Sequence, residues 1–202
     1  RFEKVSGEGA SATLRVKVVT ASPLVIRVDE GDETHVTNVL YNASEKLQTI
    51  VAEGASLTLA GKVGYGALEK TGEGTLKLSN GENAFYPGLK LLEGVLAVDD
   101  PLTLGKEGAQ NVESARLGGG VLRTEGELPL VFPRNLKVEG GTATTLATVE
   151  ATVETTMPPM TASQGNLMKK GAAPLVFSCA GEQTMPLSKT GTATDQFRSF
   201  GL

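Results

Sequence analysis

The chain has 202 residues, a net charge of −4 and one cysteine; that length suits a single domain with room for a real core. Gly and Pro together make 34 of the 202 residues, beside 22 Thr, 19 Val and 25 Leu but only 2 Ile, 9 aromatics and no Trp. Small and β-branched residues punctuated by glycine favour many short strands and tight turns over long helices. The glycines follow no three-residue period, which excludes collagen, and 40% apolar with 21% charged residues argues against wholesale disorder. Basic residues are scattered, with Lys169-Lys170 the only adjacent pair, so no nucleic-acid partner is expected. No apolar run approaches the roughly 20 residues that span a bilayer. Cys179 alone can build neither an internal disulfide nor a multi-cysteine metal site.

In chain order, an alternating pattern first appears at Ala12-Leu14-Val16-Val18 and again at Leu24-Ile26-Val28. Helical spacing is scarce. Val36, Leu40, Leu47 and Ile50 could share one helix face, although Asn42-Ala43-Ser44 and the β-branched Thr37 and Val39 work against it. Strand patterns then follow at Leu57-Leu59, Leu76-Leu78, Leu89-Leu91 and Val95-Leu96-Ala97-Val98. Val121 follows three glycines; Leu128-Leu130-Phe132 ends at Pro133, and Leu136 and Val138 end at Gly140-Gly141. Each run is short and closes on Gly, Asn, Asp or Pro.

Internal repetition decides the class. Leu68-Glu69-Lys70-Thr71-Gly72 aligns with Leu167-Met168-Lys169-Lys170-Gly171, and the match continues to Ser79 and Ser178. Leu187-Ser188-Lys189-Thr190-Gly191 begins a third copy, and Glu-Gly pairs recur at Glu8-Gly9, Glu53-Gly54, Glu73-Gly74 and Glu93-Gly94. These features predict an all-β fold, a parallel β-helix (β-solenoid) of about eight to ten short turns of roughly 20–25 residues. In such a coil Leu, Val and Ala stack inward while Thr, Lys and Glu face out. A β-sandwich is the competing architecture, but only Asn80-Gly81 supplies its hairpin signature.

The segment Gly66-Ala67-Leu68-Glu69-Lys70-Thr71-Gly72-Glu73-Gly74-Thr75-Leu76-Lys77-Leu78, with Asn83, Gly88 and Glu93-Gly94-Val95-Leu96 beyond it, resembles the autotransporter-associated β-strand repeat of bacterial passenger domains. That repeat has a Leu-x-Lys-x-Gly-x-Gly-Thr-Leu-x-Leu core, an Asn-x-Tyr-x-Gly-Gly turn and a Gly-x-Leu strand. Here Tyr86 sits one place late and Pro87 takes the first turn glycine. The match covers residues 50–98, and a worn copy extends it to about 178. The resemblance implies a right-handed, pectin-lyase-like β-helix exported to the bacterial cell surface or beyond. The membrane-inserting barrel of full autotransporters is not within these residues, which leaves the export route open. Any signal peptide is expected to lie outside a sequence that opens at Arg1.

A single domain over 1–202 is expected, with residues 1–49 as an N-terminal cap or irregular first turns. Residues 50–178 are its repeat-bearing turns, and 179–202 an irregular last turn or truncated end. Asp29, Glu30, Asp32 and Glu33 beside the sole histidine, His35, could gather a hard cation, but a solvated acidic turn is the expected reading. Glu73 and Glu93, 20 residues apart, could stack as a glycosidase pair; solvated corner charge is expected instead. Asp99-Asp100 before Pro101 reads as a turn, Phe85-Tyr86 as packed turn aromatics, and Cys179 as buried filler. Lys70, Lys169 and Lys170 are expected on the outer face, and Met157-Pro158-Pro159-Met160 as a protruding loop. No catalytic, cofactor or metal residue is assigned. The expected function is a non-catalytic structural or adhesin-like surface scaffold whose partners are host or cell-surface glycans or proteins. The alternatives are a carbohydrate-active enzyme (a polysaccharide lyase or glycosidase), a glycan-binding module on the same fold, or a spacer within a larger passenger.

Overall fold

Alternation of apolar and polar residues carries the chain from one short strand to the next, and a glycine-bearing corner turns it onto the next face. The computed structural model describes residues 24–85, 88–105, 115–132, 146–158, 166–177 and 187–189. The first coil contributes β1 (Leu24–Val28), β2 (Asp32–His35) and β3 (Val39–Leu40); the second contributes β4 (Lys46–Val51), β5 (Ser56–Leu59) and β6 (Val63–Gly64). Then come β7 (Ala67–Thr71) and β8 (Thr75–Leu78), β9 (Leu89–Leu91) and β10 (Val95–Val98), and, after a 3-10 turn at Pro101–Leu104, β11 (Ala115–Leu117), β12 (Val121–Thr124) and β13 (Leu130–Val131). The later strands are β14 (Leu146–Ala151), β15 (Thr155–Met157), β16 (Asn166–Lys170), β17 (Leu175–Phe177) and β18 (Leu187–Lys189).

Every ladder between these strands is parallel. One sheet runs β1-β4-β7-β9-β11, a larger one β2-β5-β8-β10-β12-β14-β16-β18, and a third β13-β15-β17, with β3 and β6 paired on a fourth edge. The chain is therefore a parallel β-solenoid, as its periodicity predicts. Among the described residues no helix is long and apolar enough to cross a membrane.

Stacking of like side chains builds the core. Leu24, Leu47, Leu68, Leu89 and Ala115 share one register column in the first sheet. In the larger sheet Leu57, Leu76, Leu96, Leu122 and Val149 form another, and all five are buried. Each buried Leu or Val contributes roughly 1.5–3 kcal/mol, and neighbouring rungs repeat that contribution.

Several expectations are corrected. The helix over residues 36–50 does not form: β3 and β4 occupy the segment, Val36 is 75% exposed, and Leu47, Thr49 and Val51 alternate inward instead. Burial on a two-residue period thus overrides the coincidental three-to-four spacing. Met157 is no loop residue; it ends β15 with its side chain fully buried, and Pro158 behind it is also buried. In the run at 128–132 the strand starts only at Leu130, leaving Leu128 exposed. The runs at 12–18 and 136–138, together with Glu8-Gly9, Tyr86, Pro159, Met160 and Cys179, lie outside the described residues.

Candidate functional site

A polar cluster of the interior sits where β7 turns into β8. Leu68 and Lys70 are the inward residues of β7, and Lys70 occupies a column with Thr49 below it and Leu91 above. Its side chain is fully buried, which overturns the expected place on the outer face. A lysine at an inward position must satisfy its ammonium, and the corner provides for that. Lys70 Nζ donates to the Thr71 carbonyl at 2.9 Å, to the Gly72 carbonyl, and to the Glu93 carbonyl of the next coil at 3.3 Å. Burial lowers its pKa to about 8, against the opposing fields of the Glu73 and Glu93 carboxylates. The Glu93 carboxylate accepts the Gly72 N–H at 2.8 Å. The cluster therefore holds two coils together at one corner, with its amine sealed from solvent.

The equivalent lysine 99 residues on shares one of these bonds in a more exposed setting. Lys169 pairs with Val149 in an inward column, is partly buried, and donates from Nζ to the Gly171 carbonyl at 2.8 Å. Its expected outward position is corrected too, whereas Lys170 is exposed as expected. The two copies lie in different sheets, β7 in the first and β16 in the larger. The sequence repeat thus reproduces a corner and not a whole coil.

A second polar device crosses three coils. Asn83 is fully buried; its Oδ1 accepts the Val63 N–H and its Nδ2 donates to the Thr103 carbonyl, both at 2.8 Å. Phe85 beside it is a core residue. Asp100 caps the 3-10 turn by accepting the Leu102 N–H at 2.9 Å, while Asp99 pairs with Lys77 at 2.8 Å.

The acidic segment 29–35 lies largely exposed. Asp29 pairs with Arg27 at 2.7 Å, Asp32 accepts from the Ser56 hydroxyl, and Glu33 meets His35 Nε2 at 3.2 Å. Its carboxylates are spread over separate partners and do not converge on one point. Among the described residues no group of three or more His, Cys, Asp or Glu is placed to hold a metal ion.

The outer face of the first sheet carries a charged ladder absent from the sequence reading. Gln48, Glu69, Lys90 and Arg116 succeed one another in register. Glu69 bonds Lys46 Nζ at 3.0 Å and Gln48 Nε2 at 3.1 Å. Lys46, Glu69, Lys90 and Arg116 line a depression on this face together with Ala67 and Gly88, while the side chains of Leu68 and Leu89 beneath it are buried in the core. Nothing in the linear order announces this ladder, because its members lie 21–26 residues apart and meet only through strand register. The chain matches no known family model, no curated protein and no solved structure.

Proposed function

We propose that this chain is a non-catalytic scaffold, an exported bacterial β-helix that presents its outer faces to glycans or proteins of a neighbouring surface. The observation that carries the reading is the use of the buried polar groups. Lys70 and Asn83 spend their hydrogen bonds on backbone groups of their own and adjacent coils. Chemistry on a substrate would need such groups facing a cleft, whereas here they hold the coils in register. The right-handed winding, the pectin-lyase-like section and the surface location belong to the same proposal. They are supported by the likeness of residues 50–98 to the autotransporter-associated repeat.

A glycan-binding role on the same coil is the second reading, favoured by the depression at Lys46, Glu69, Lys90 and Arg116. Charged side chains on an outer sheet face suit hydroxyl- or carboxylate-bearing sugars. A glycan and extracellular-matrix array with released-sugar detection separates the readings. Retention without cleavage is the expected result. Cleavage would replace the scaffold with a carbohydrate-active enzyme, and silence on every surface would leave a spacer.

A further inference from the structure

Asn80-Gly81, which in a sandwich would mark a hairpin, joins none here: it opens the corner that follows β8. Its glycine is not what shapes that corner. Among the described residues every other glycine either has a positive φ or stands where a Cβ would strike a neighbour closer than 3.0 Å. At Gly81 neither holds: a Cβ there would meet nothing nearer than the Leu102 Cβ at 3.6 Å, with Asp100 Oδ2 at 3.8 Å. Alanine would fit, so the fold does not explain why glycine follows this asparagine.

The surroundings of Asn80 supply another reason. Asn80 and Gly81 are partly exposed, so water reaches them. Asn80 Oδ1 accepts the Glu82 N–H at 2.9 Å, closing an Asx turn over Gly81 and drawing electron density from Cγ. Its Nδ2 donates to the Ala60 carbonyl of the preceding coil at 3.3 Å, longer than usual for such a bond. The neighbouring asparagines differ. Asn38 and Asn42 precede Val39 and Ala43, whose Cβ atoms crowd the following main-chain nitrogen, and Asn83 is fully buried before Ala84.

From these observations we propose that Asn80 is a site of spontaneous deamidation. The Gly81 main-chain nitrogen, its proton lost to solvent base, attacks Asn80 Cγ. A C–N bond forms, the Cγ–Nδ2 bond breaks, and Nδ2 leaves as ammonia. Water then opens the resulting cyclic imide. Breaking the newly formed bond gives aspartate; breaking the original peptide bond gives isoaspartate, with the main chain rerouted through the side-chain carbons. The net change is amide plus water to carboxylic acid plus ammonia, with no oxidant or cofactor. Both products lose the N–H donor to the Ala60 carbonyl and gain a negative charge near Asp100. Isoaspartate also lengthens the main chain just ahead of Asn83, whose amide joins three coils. The modification therefore loosens the stack at the coil that carries it.

Mass spectrometry of the full chain, held at physiological temperature from neutral to mildly alkaline pH, tests this. The tryptic peptide 78–90, which contains Asn80 and Asn83, should gain the mass of the amide-to-acid exchange, and fragment ions should place it at Asn80. The rate should rise in proportion to hydroxide, and an isoaspartyl methyltransferase should label the product. Gly81→Ala should fold as the wild type does and melt no lower, yet lose most of the modification, because the added Cβ hinders ring closure. Aged wild type should melt below fresh wild type, and aged Gly81→Ala should not. An Asn80 that stays an amide while a synthetic peptide of residues 78–90 converts overturns the proposal. So does a Gly81→Ala chain that converts at the wild-type rate. Conversion at Asn80 with an unchanged melting temperature overturns the loosening of the stack.

Discussion

Lys70 and Lys169 make the same bond on different faces of the solenoid: each ammonium donates to the carbonyl of the glycine two residues ahead. At the Lys70 corner three carbonyls, of Thr71, Gly72 and Glu93, converge on the buried ammonium, whereas the Lys169 bond lies at the surface. A lysine at the last inward position of the preceding strand is long enough to reach such carbonyls. Its stem packs with the core while its head serves the corner.

Removing that ammonium orphans its acceptors, so Lys70→Met is expected to cost about 1–3 kcal/mol at neutral pH, measured by chemical denaturation. The effect should also depend on pH. The folded pKa is lowered to about 8 against an ordinary 10.5, so between those values the unfolded chain binds more protons than the folded one. Stability contributed by Lys70 therefore rises with pH across that window. The gap between wild type and Lys70→Met should widen from pH 8 to 10.5 by up to about 2–3 kcal/mol. A gap that is flat or narrows across the window refutes the buried-amine account.

Gly54 and Gly72 separate backbone conformation from crowding. Both have φ of 76°, but a Cβ at Gly54 meets open space, while one at Gly72 collides with the Val51 carbonyl oxygen. Gly54→Ala should cost only the left-handed penalty, about 1–2 kcal/mol. Gly72→Ala should cost roughly 1–3 kcal/mol more, since backbone must move. Equal thermal shifts for the two variants would show that the coils are looser than this contact requires.

Leu128 and Leu130 make a similar contrast two residues apart. Leu130→Ala removes a core side chain and should cost about 2–5 kcal/mol, whereas Leu128→Ser alters an exposed position and should stay within about 0.5 kcal/mol. Comparing the two midpoints in urea checks the strand start at Leu130, and a reversed order would move the strand.

The fold was legible where one period dominated. Leu57-Leu59, Leu76-Leu78 and Leu89-Leu91 alternate cleanly, and each is a strand with both leucines buried. Lys70 was misread because a charged residue in an alternating run is normally assigned outward. Its inward place depends on carbonyls at 71, 72 and 93, one of them more than twenty residues away. The ladder of Glu69, Lys90 and Arg116 stayed hidden for the same reason, since register across coils places its members and local sequence does not. Met157 was misread because the following prolines advertise a break; yet a strand end tolerates a break just after it.

Asn83 tests whether the coils are held by polar bonds as well as by leucine stacking. Its amide spans three coils, taking the Val63 N–H on one side and giving to the Thr103 carbonyl on the other. Leucine keeps the same count of side-chain heavy atoms but offers neither bond, so Asn83→Leu leaves a buried donor and a buried acceptor unpaired, at about 1–3 kcal/mol for each. Asp at the same place retains the acceptor for Val63 but loses the donor and brings a charge into the core, so it should also destabilise. Hydrogen exchange adds a local readout: the Val63 amide should lose protection in Asn83→Leu before the Leu76 and Leu96 amides do. Unchanged protection at Val63, with wild-type stability, would mean that apolar stacking alone sets the register of these coils.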